Sequence, residues 1–269
     1  MLPTFLTQLA AGCYLTISLS AMRQVSWRYL RLIAVVTLVL LFIAGGLFYR
    51  EIGAKEWAHH WRPLIGMAVA AVAGSIWLFV NSVQADRIGG AQRLCAVTAG
   101  LAALATAIVL AHRPDDIVGV GQQDATAVRL PVATTTALGA MLLGSATAAM
   151  LLGHRYLTDT GMPIAPLRRL AMIYVGAVIA RGAWVIAASV PLWTGEYRPG
   201  GDVVWFWLMI SVRLGVGILV TGVFAWMAWD CVRRRATQSA TALFYLSMIL
   251  VFLGELAAQF LLRSENLPV

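Results

Sequence analysis

This sequence is poor in charge. Only 12% of its 269 residues are Asp, Glu, Lys or Arg, against 60% hydrophobic residues, and the mean hydropathy is +0.80. Soluble domains carry about 25% charged residues, so an ordinary soluble fold is excluded and lipid is the solvent that this composition fits. Lysine is nearly absent: Lys55 is the one lysine among 20 basic residues, a bias that says nothing of function. Cysteine is scarce as well. Cys13, Cys95 and Cys231 stand far apart without a C-x-x-C spacing, which argues against a zinc site, an iron–sulfur cluster or a disulfide framework in this chain. Each reads as a small apolar packing residue. The four histidines, His59, His60, His112 and His154, fall in connections or at span ends. No two of them are placed to face each other as axial ligands inside the bilayer, which argues against a haem-b bundle. No nucleotide loop or nucleophile constellation appears either.

What the chain does have is long apolar runs. Crossing about 30 Å of hydrocarbon takes about 20 apolar residues, and eight segments qualify: 4–22, 32–49, 63–83, 94–111, 130–153, 170–192, 204–229 and 241–262. The expected fold is therefore all-α, a polytopic integral membrane protein of about eight transmembrane helices. The longest connections, 113–129 and 154–169, are short for independent domains, so 1–269 reads as one membrane domain. Within it, 1–112 and 130–262 are candidate halves, each a four-helix bundle. The run Leu9-Ala10-Ala11-Gly12-Cys13 loosely resembles a lipoprotein processing site, but no basic residue precedes it and Ala10 stands where Leu is usual. A signal peptide normally opens on a positive region, so the first run is read as a retained span.

The formal charge of +8 is spread singly and in threes between the apolar runs, the pattern of loop charges that orient helices rather than of a nucleic-acid stripe. Connections 1–2, 3–4, 5–6 and 7–8 carry Arg23, Arg28, Arg31, Arg87, Arg93, Arg155, Arg168, Arg169, Arg233, Arg234 and Arg235. The other side carries Arg50, Lys55, Arg62, Arg113, Arg129, Arg198 and Arg263. The positive-inside rule then predicts a cytoplasmic (inner) membrane protein with both termini on the non-cytoplasmic side; Glu51 and Glu56 hardly alter a rule that counts Lys and Arg. Trp57, Trp61, Trp193, Trp205 and Trp207 are expected at the outer interface, and Trp27, Trp226 and Trp229 at the inner one, as an aromatic belt. Small residues four apart, Gly176 with Ala180, Ser211 with Gly215 and Gly254 with Ala258, are expected to let helices approach closely.

Three ionisable residues fall inside spans: Arg181 on the sixth, Arg213 on the seventh and Glu255 on the eighth. Measured from the expected outer ends, they lie roughly 16, 14 and 10 Å deep at 1.5 Å per residue. A charge near the middle of a membrane costs at least about 2.5–3.5 kcal/mol, so such residues seek a protein interior and a partner. Matching depth on consecutive helices predicts one buried cluster. On one reading it is an ion pair, Arg213 with Glu255, that locks two helices together. On the other it is a polar pocket of net charge +1, opened toward the outer face, that binds a polar or anionic headgroup and moves a proton through Glu255. Trp184 and Gln259, one turn from Arg181 and Glu255, are candidate lining residues. His59 and His60 read as solvated loop residues or as proton donors at the pocket rim.

The opening Leu6-Thr7-Gln8-Leu9-Ala10-Ala11-Gly12, with Gln four positions before Gly, resembles the first helix of the membrane anchor subunits of dimethyl sulfoxide reductases. The ending is closer: Arg213 in an apolar run, then Leu253-Gly254-Glu255-Leu256, similar to the family's Gly-Glu-Leu. The resemblance is carried by Gln8, Gly12, Arg213, Gly254 and Glu255. It implies eight spans, a subunit without a cofactor of its own that binds quinone or quinol near the outer face, and electron transfer to an iron–sulfur subunit serving a molybdenum-containing catalytic subunit. Where the family has His-Leu-Gly at the end of its second helix, this chain has Leu47-Phe48-Tyr49-Arg50-Glu51, and Gln259 stands where an Arg usually follows. His59 or His60 would have to stand in for the missing histidine. Two other classes fit the residues: a transporter or channel-like protein for an anionic solute, in which Gly215 and Gly217 mark a helix break, and a non-catalytic scaffold or assembly factor.

Overall fold

The computed structural model describes the backbone of every residue except 21–24, 53–56, 84–89, 113–124, 159–161, 196–199, 201 and 266; side chains at 52, 57–60, 81–83, 91 and 125–129 are likewise not described. Arg23, Lys55, Glu56, Arg87, Arg113 and Arg198, and the side chains of Trp57, His59, His60 and Arg129, thus lie outside the described residues.

The long apolar runs form helices because, in lipid, each backbone N–H and C=O must be paired within the segment itself. Eight helices are long and apolar enough to cross a membrane. In chain order they are α1 (Leu2–Leu19), α2 (Trp27–Ile52), α3 (Trp57–Val83), α4 (Gly90–Ala111), α5 (Ala125–Thr158), α6 (Ala165–Ala188, carried on by the turn Val190–Trp193), α7 (Val203–Arg233) and α8 (Thr237–Glu265). Among the described residues there is no strand. Local chemistry sets several ends. Proline occupies the first turn of α1 and of α6, where its missing N–H costs nothing. The Asp202 carboxylate accepts from the Val204 amide at 2.9 Å and caps α7. Arg235, at φ 59°, takes the left-handed position that closes α7 before α8 begins.

Most helices outrun the apolar segments that predicted them. The backbone of α3 is already helical at His59 and His60, where a loop was expected. Pro63 lies only two turns into that helix, so its ring removes one hydrogen bond close to an end rather than breaking the interior. The largest departure is in α7, whose middle, Val212–Val220, winds as a π-helix between α-helical arms. The expected break at Gly215 and Gly217 is a widened but continuous helix.

α1 packs on α2 and α4, and α3 bridges α2 and α4, so the first four helices form a ring; α5 packs on α6 and α8, with α7 between those two, forming a second. The rings join chiefly where α1 meets α5. These two helices are the most enclosed, with 78% of each apolar window buried, against 44% or less in the others. Their approach depends on two glycines: a Cβ on Gly12 would stand 2.6 Å from the Ala140 carbonyl carbon and 2.9 Å from the Gly144 nitrogen. No larger residue fits there. Of the expected small-residue contacts, Gly254 is one, pressed against Gly217 of α7, but Gly176 and Gly215 face open space. Period-four spacing shows which small residues share a face and not which face meets a neighbour.

Phe42, Phe79, Leu130, Ile179 and Leu219 are among the large apolar side chains exposed on the outside of the bundle, which suits a lipid-facing surface. Trp61, Trp193, Trp205 and Trp207 are exposed toward one end, and Trp27 and Trp226 toward the other, while Trp229 is half-buried beneath the Arg168 guanidinium, 5.9 Å from its ring centre. That is the distribution of interfacial anchors. Trp77 is fully buried inside the first ring.

Candidate functional site

The three buried charges meet. Arg181 comes from α6, Arg213 from the first turn of the π segment of α7, and Glu255 from α8. Arg181 clasps the Glu255 carboxylate with two parallel bonds, Nε to Oε1 at 3.0 Å and Nη2 to Oε2 at 3.1 Å. Arg213 Nη1 donates to the same Oε1 at 3.0 Å. Arg181 and Arg213 are 0% exposed and Glu255 is 1% exposed. Glu255 thus bridges three helices rather than pairing with one arginine alone. The bidentate fork fixes its orientation, and the bridge fixes the charges' depth. Two guanidiniums against one carboxylate leave the three side chains at a net +1.

Small residues make room for this meeting. Gly217 and Gly254 lie back to back, and a Cβ on Gly217 would be 2.7 Å from the Gly254 Cα. Each glycine also lies beside Arg213, with Nη1 3.4 Å from where a Cβ would stand. On α5, a Cβ at Gly139 would press on Gln8 Nε2 and stand 2.6 Å from Glu255 Oε2. One glycine therefore borders both the charge cluster and a residue of α1.

An amide relay extends the site into the first ring. Gln259, one turn beyond Glu255, donates from Nε2 to Gln8 Oε1 at 2.8 Å, and Gln8 Nε2 donates to the Thr136 carbonyl at 2.8 Å. Both glutamines are buried. Gln8, Arg213, Gly254 and Glu255, which come from opposite ends of the chain, thus converge on one region. Nearer the end of the bundle, Arg263 Nη2 donates to Thr4 Oγ1 at 3.0 Å and ties α8 to the start of α1.

The other flank is closed by the residues that follow α8. Thr135 Oγ1 donates to the Pro268 carbonyl at 2.7 Å, and the Trp184 indole N–H reaches Thr135 Oγ1 at 2.7 Å and the same carbonyl at 3.3 Å. Arg181 Nη2 donates to the Val269 backbone oxygen at 3.3 Å. Donors nevertheless remain in excess. Arg181 Nη1 and Arg213 Nε and Nη2 are buried with no acceptor among the described residues. Unpaired buried donors carry a desolvation cost, and a ligand rich in acceptor oxygens would remove it.

Of the residues singled out by sequence, Arg181, Arg213, Glu255, Trp184 and Gln259 come together. His59 and His60 have helical backbones, with side chains outside the described residues. His154 is elsewhere, 3.2 Å through Nδ1 from the Tyr245 hydroxyl. Thr135, Thr136, Gly139 and the segment Leu267–Val269 were not singled out. The run Thr134-Thr135-Thr136 inside an apolar helix was the available signal for two of them. Among the described residues, no three His, Cys, Asp or Glu side chains gather as a metal site would require. Comparison of the chain with protein-family models, with curated proteins and with solved structures finds no match.

Proposed function

We propose that the chain is a quinone-interacting membrane anchor. In this reading it binds the quinone or quinol headgroup beside Arg181, Arg213 and Glu255, and passes electrons to an iron–sulfur partner subunit that serves a catalytic subunit of a respiratory oxidoreductase. The observation that carries the reading is the excess of buried donors at a cluster where Gln8, Arg213, Gly254 and Glu255 converge. A quinone presents acceptor oxygens on an apolar ring, which matches guanidinium N–H groups set in an apolar bundle. Its quinol form would supply two electrons to the partner and release two protons to water, while the chain's own residues position and polarise it.

Arg213, through Nε and Nη2, and Arg181, through Nη1, would hold the headgroup oxygens. Glu255 keeps the guanidiniums in place: three charge-assisted bonds engage both its oxygens, and in this reading it is the anion that orients Arg181 and Arg213 toward the headgroup. Gln8 and Gln259 support Glu255 from the α1 side. By the positive-inside expectation this end of the bundle would face the non-cytoplasmic side of the inner membrane, and iron–sulfur and catalytic partners would dock on one face.

The test is purification in mild detergent with identification of co-purifying subunits and lipids. Recovery of an iron–sulfur protein together with quinone is the expected result. A lone chain that carries an anion across liposomes would replace this reading with a transporter, and full cellular function after Arg181→Met, Arg213→Met and Glu255→Leu together would replace it with a scaffold.

A further inference from the structure

The cluster is closed, so a ligand can enter only if something leaves. α6, α7 and α8 pack on one another around it, and their ion pairs are buried. The described non-helical piece that bonds to the site is Leu267–Val269. Its own hold is slender: Leu267 N–H bonds the Leu261 carbonyl at 3.3 Å, and Val269 N–H bonds the Leu267 carbonyl at 3.0 Å. The rest of its attachment is of two kinds. Leu267 and Val269 are buried with Val185, Phe206, Ile210 and Leu261 in an apolar cluster separate from the main core. The main-chain oxygens of Pro268 and Val269 take up the Thr135, Trp184 and Arg181 donors.

Both kinds of attachment match what a quinone offers. Its ring oxygens accept hydrogen bonds as the two main-chain oxygens do, and its isoprenoid tail is apolar as the Leu267 and Val269 side chains are. Resting on the quinone reading above, we propose that Leu267–Val269 is a built-in stand-in for the ligand. A quinone binds by displacing it, placing one carbonyl oxygen where Pro268 O accepts from Thr135 and Trp184, and running its tail into the slot vacated beside Val185, Phe206 and Ile210. Thr135 and Trp184 then become binding residues, with Arg181, whose Nη2 gives up its bond to Val269, behind them. The exchange explains how a fully buried cluster is reached without parting the ion-paired helices.

A displaceable stand-in taxes affinity by the fraction of protein in which it is released. Weakening it must therefore tighten binding. The experiment uses the full chain in lipid nanodiscs and an oxidised short-chain naphthoquinone substituted at both carbons of its quinone ring, so that no free position adds a thiol, with binding followed by equilibrium dialysis. Leu267→Ala is expected to bind about tenfold more tightly than the unaltered chain, and adding Thr135→Val to it removes a donor and returns about tenfold of that gain. As a second readout on folded, monodisperse protein, maleimide labelling of Leu267→Cys, read at residue 267 by mass spectrometry, is expected to accelerate when the quinone is added. Binding by the unaltered chain that Leu267→Ala leaves equal or weaker, with labelling indifferent to quinone, overturns the exchange and leaves the quinone reading standing. Absence of binding in every variant overturns both.

Discussion

The two rings of helices share a plan and are held together differently. The first is closed by fit. Tyr14 of α1 meets Trp77 of α3 edge-on at 5.9 Å, and Ala70, Ala96, Ala99 and Ala103 are buried around them. A side chain on Gly66, Gly74 or Gly100 would press on Thr106, Tyr14 or Leu15 respectively. The second ring is closed on a salt bridge of three side chains. Buried charge, which costs insertion energy, is concentrated in the second ring, whereas a buried donor left without a partner among the described residues in the first, Trp77 Nε1, is neutral. The rings therefore respond differently to the same kind of truncation.

The largest effect is expected in the second ring. Glu255→Ala leaves two guanidiniums buried without their anion and should lower stability by about 3–5 kcal/mol, read by denaturant titration of the purified chain in mild detergent. Replacing all three charges by apolar residues, Arg181→Met, Arg213→Met and Glu255→Leu, should restore most of that loss. Trp77→Ala in the first ring should cost nearly as much, about 3–4 kcal/mol, yet no second truncation rescues it; a Tyr14→Ala partner that restored stability would break the comparison. At the seam between the rings, Gly144→Val forces α1 and α5 apart and should cost about 1–3 kcal/mol, with a shift to higher aggregation on size exclusion. Gln259→Leu strands one amide group of Gln8 in a buried relay and should cost about 1 kcal/mol, largely recovered in the double variant with Gln8→Leu.

The contrast between rings also accounts for what is legible in the amino-acid sequence. Eight spans follow from hydropathy because lipid leaves a chain little choice but helices. Arg181, Arg213 and Glu255 stand out because an ionisable group in an apolar run needs a partner, and similar depth brought the three together. Packing carries no such mark. The meeting of Gly12 with Gly144 joins positions far apart in the chain, and Gly176 has the same local look but faces open space. The run Thr134-Thr135-Thr136 is a weak signal because a hydroxyl in a helix commonly bonds its own preceding turn, as Thr136 does to the Val132 carbonyl at 2.8 Å; only the fold shows that Thr135 turns outward to Pro268 instead. Gly215 and Gly217 mark an irregularity in Val212–Val220, but not that it is a continuous π-helix, the segment that presents Arg213 to Glu255.

The central claim is that the guanidinium cluster of the second ring exists to hold an acceptor-rich headgroup. It is tested most directly by quinone affinity in nanodiscs for the unaltered chain and for the stable apolar triple variant Arg181→Met, Arg213→Met and Glu255→Leu. Saturable binding by the unaltered chain, weakened about a hundredfold or more in the triple variant, is the result this account predicts, since each lost charged hydrogen bond is worth about 1.5–3 kcal/mol. Equal affinity in the two proteins would contradict it and reduce the charges to a clamp between α6, α7 and α8.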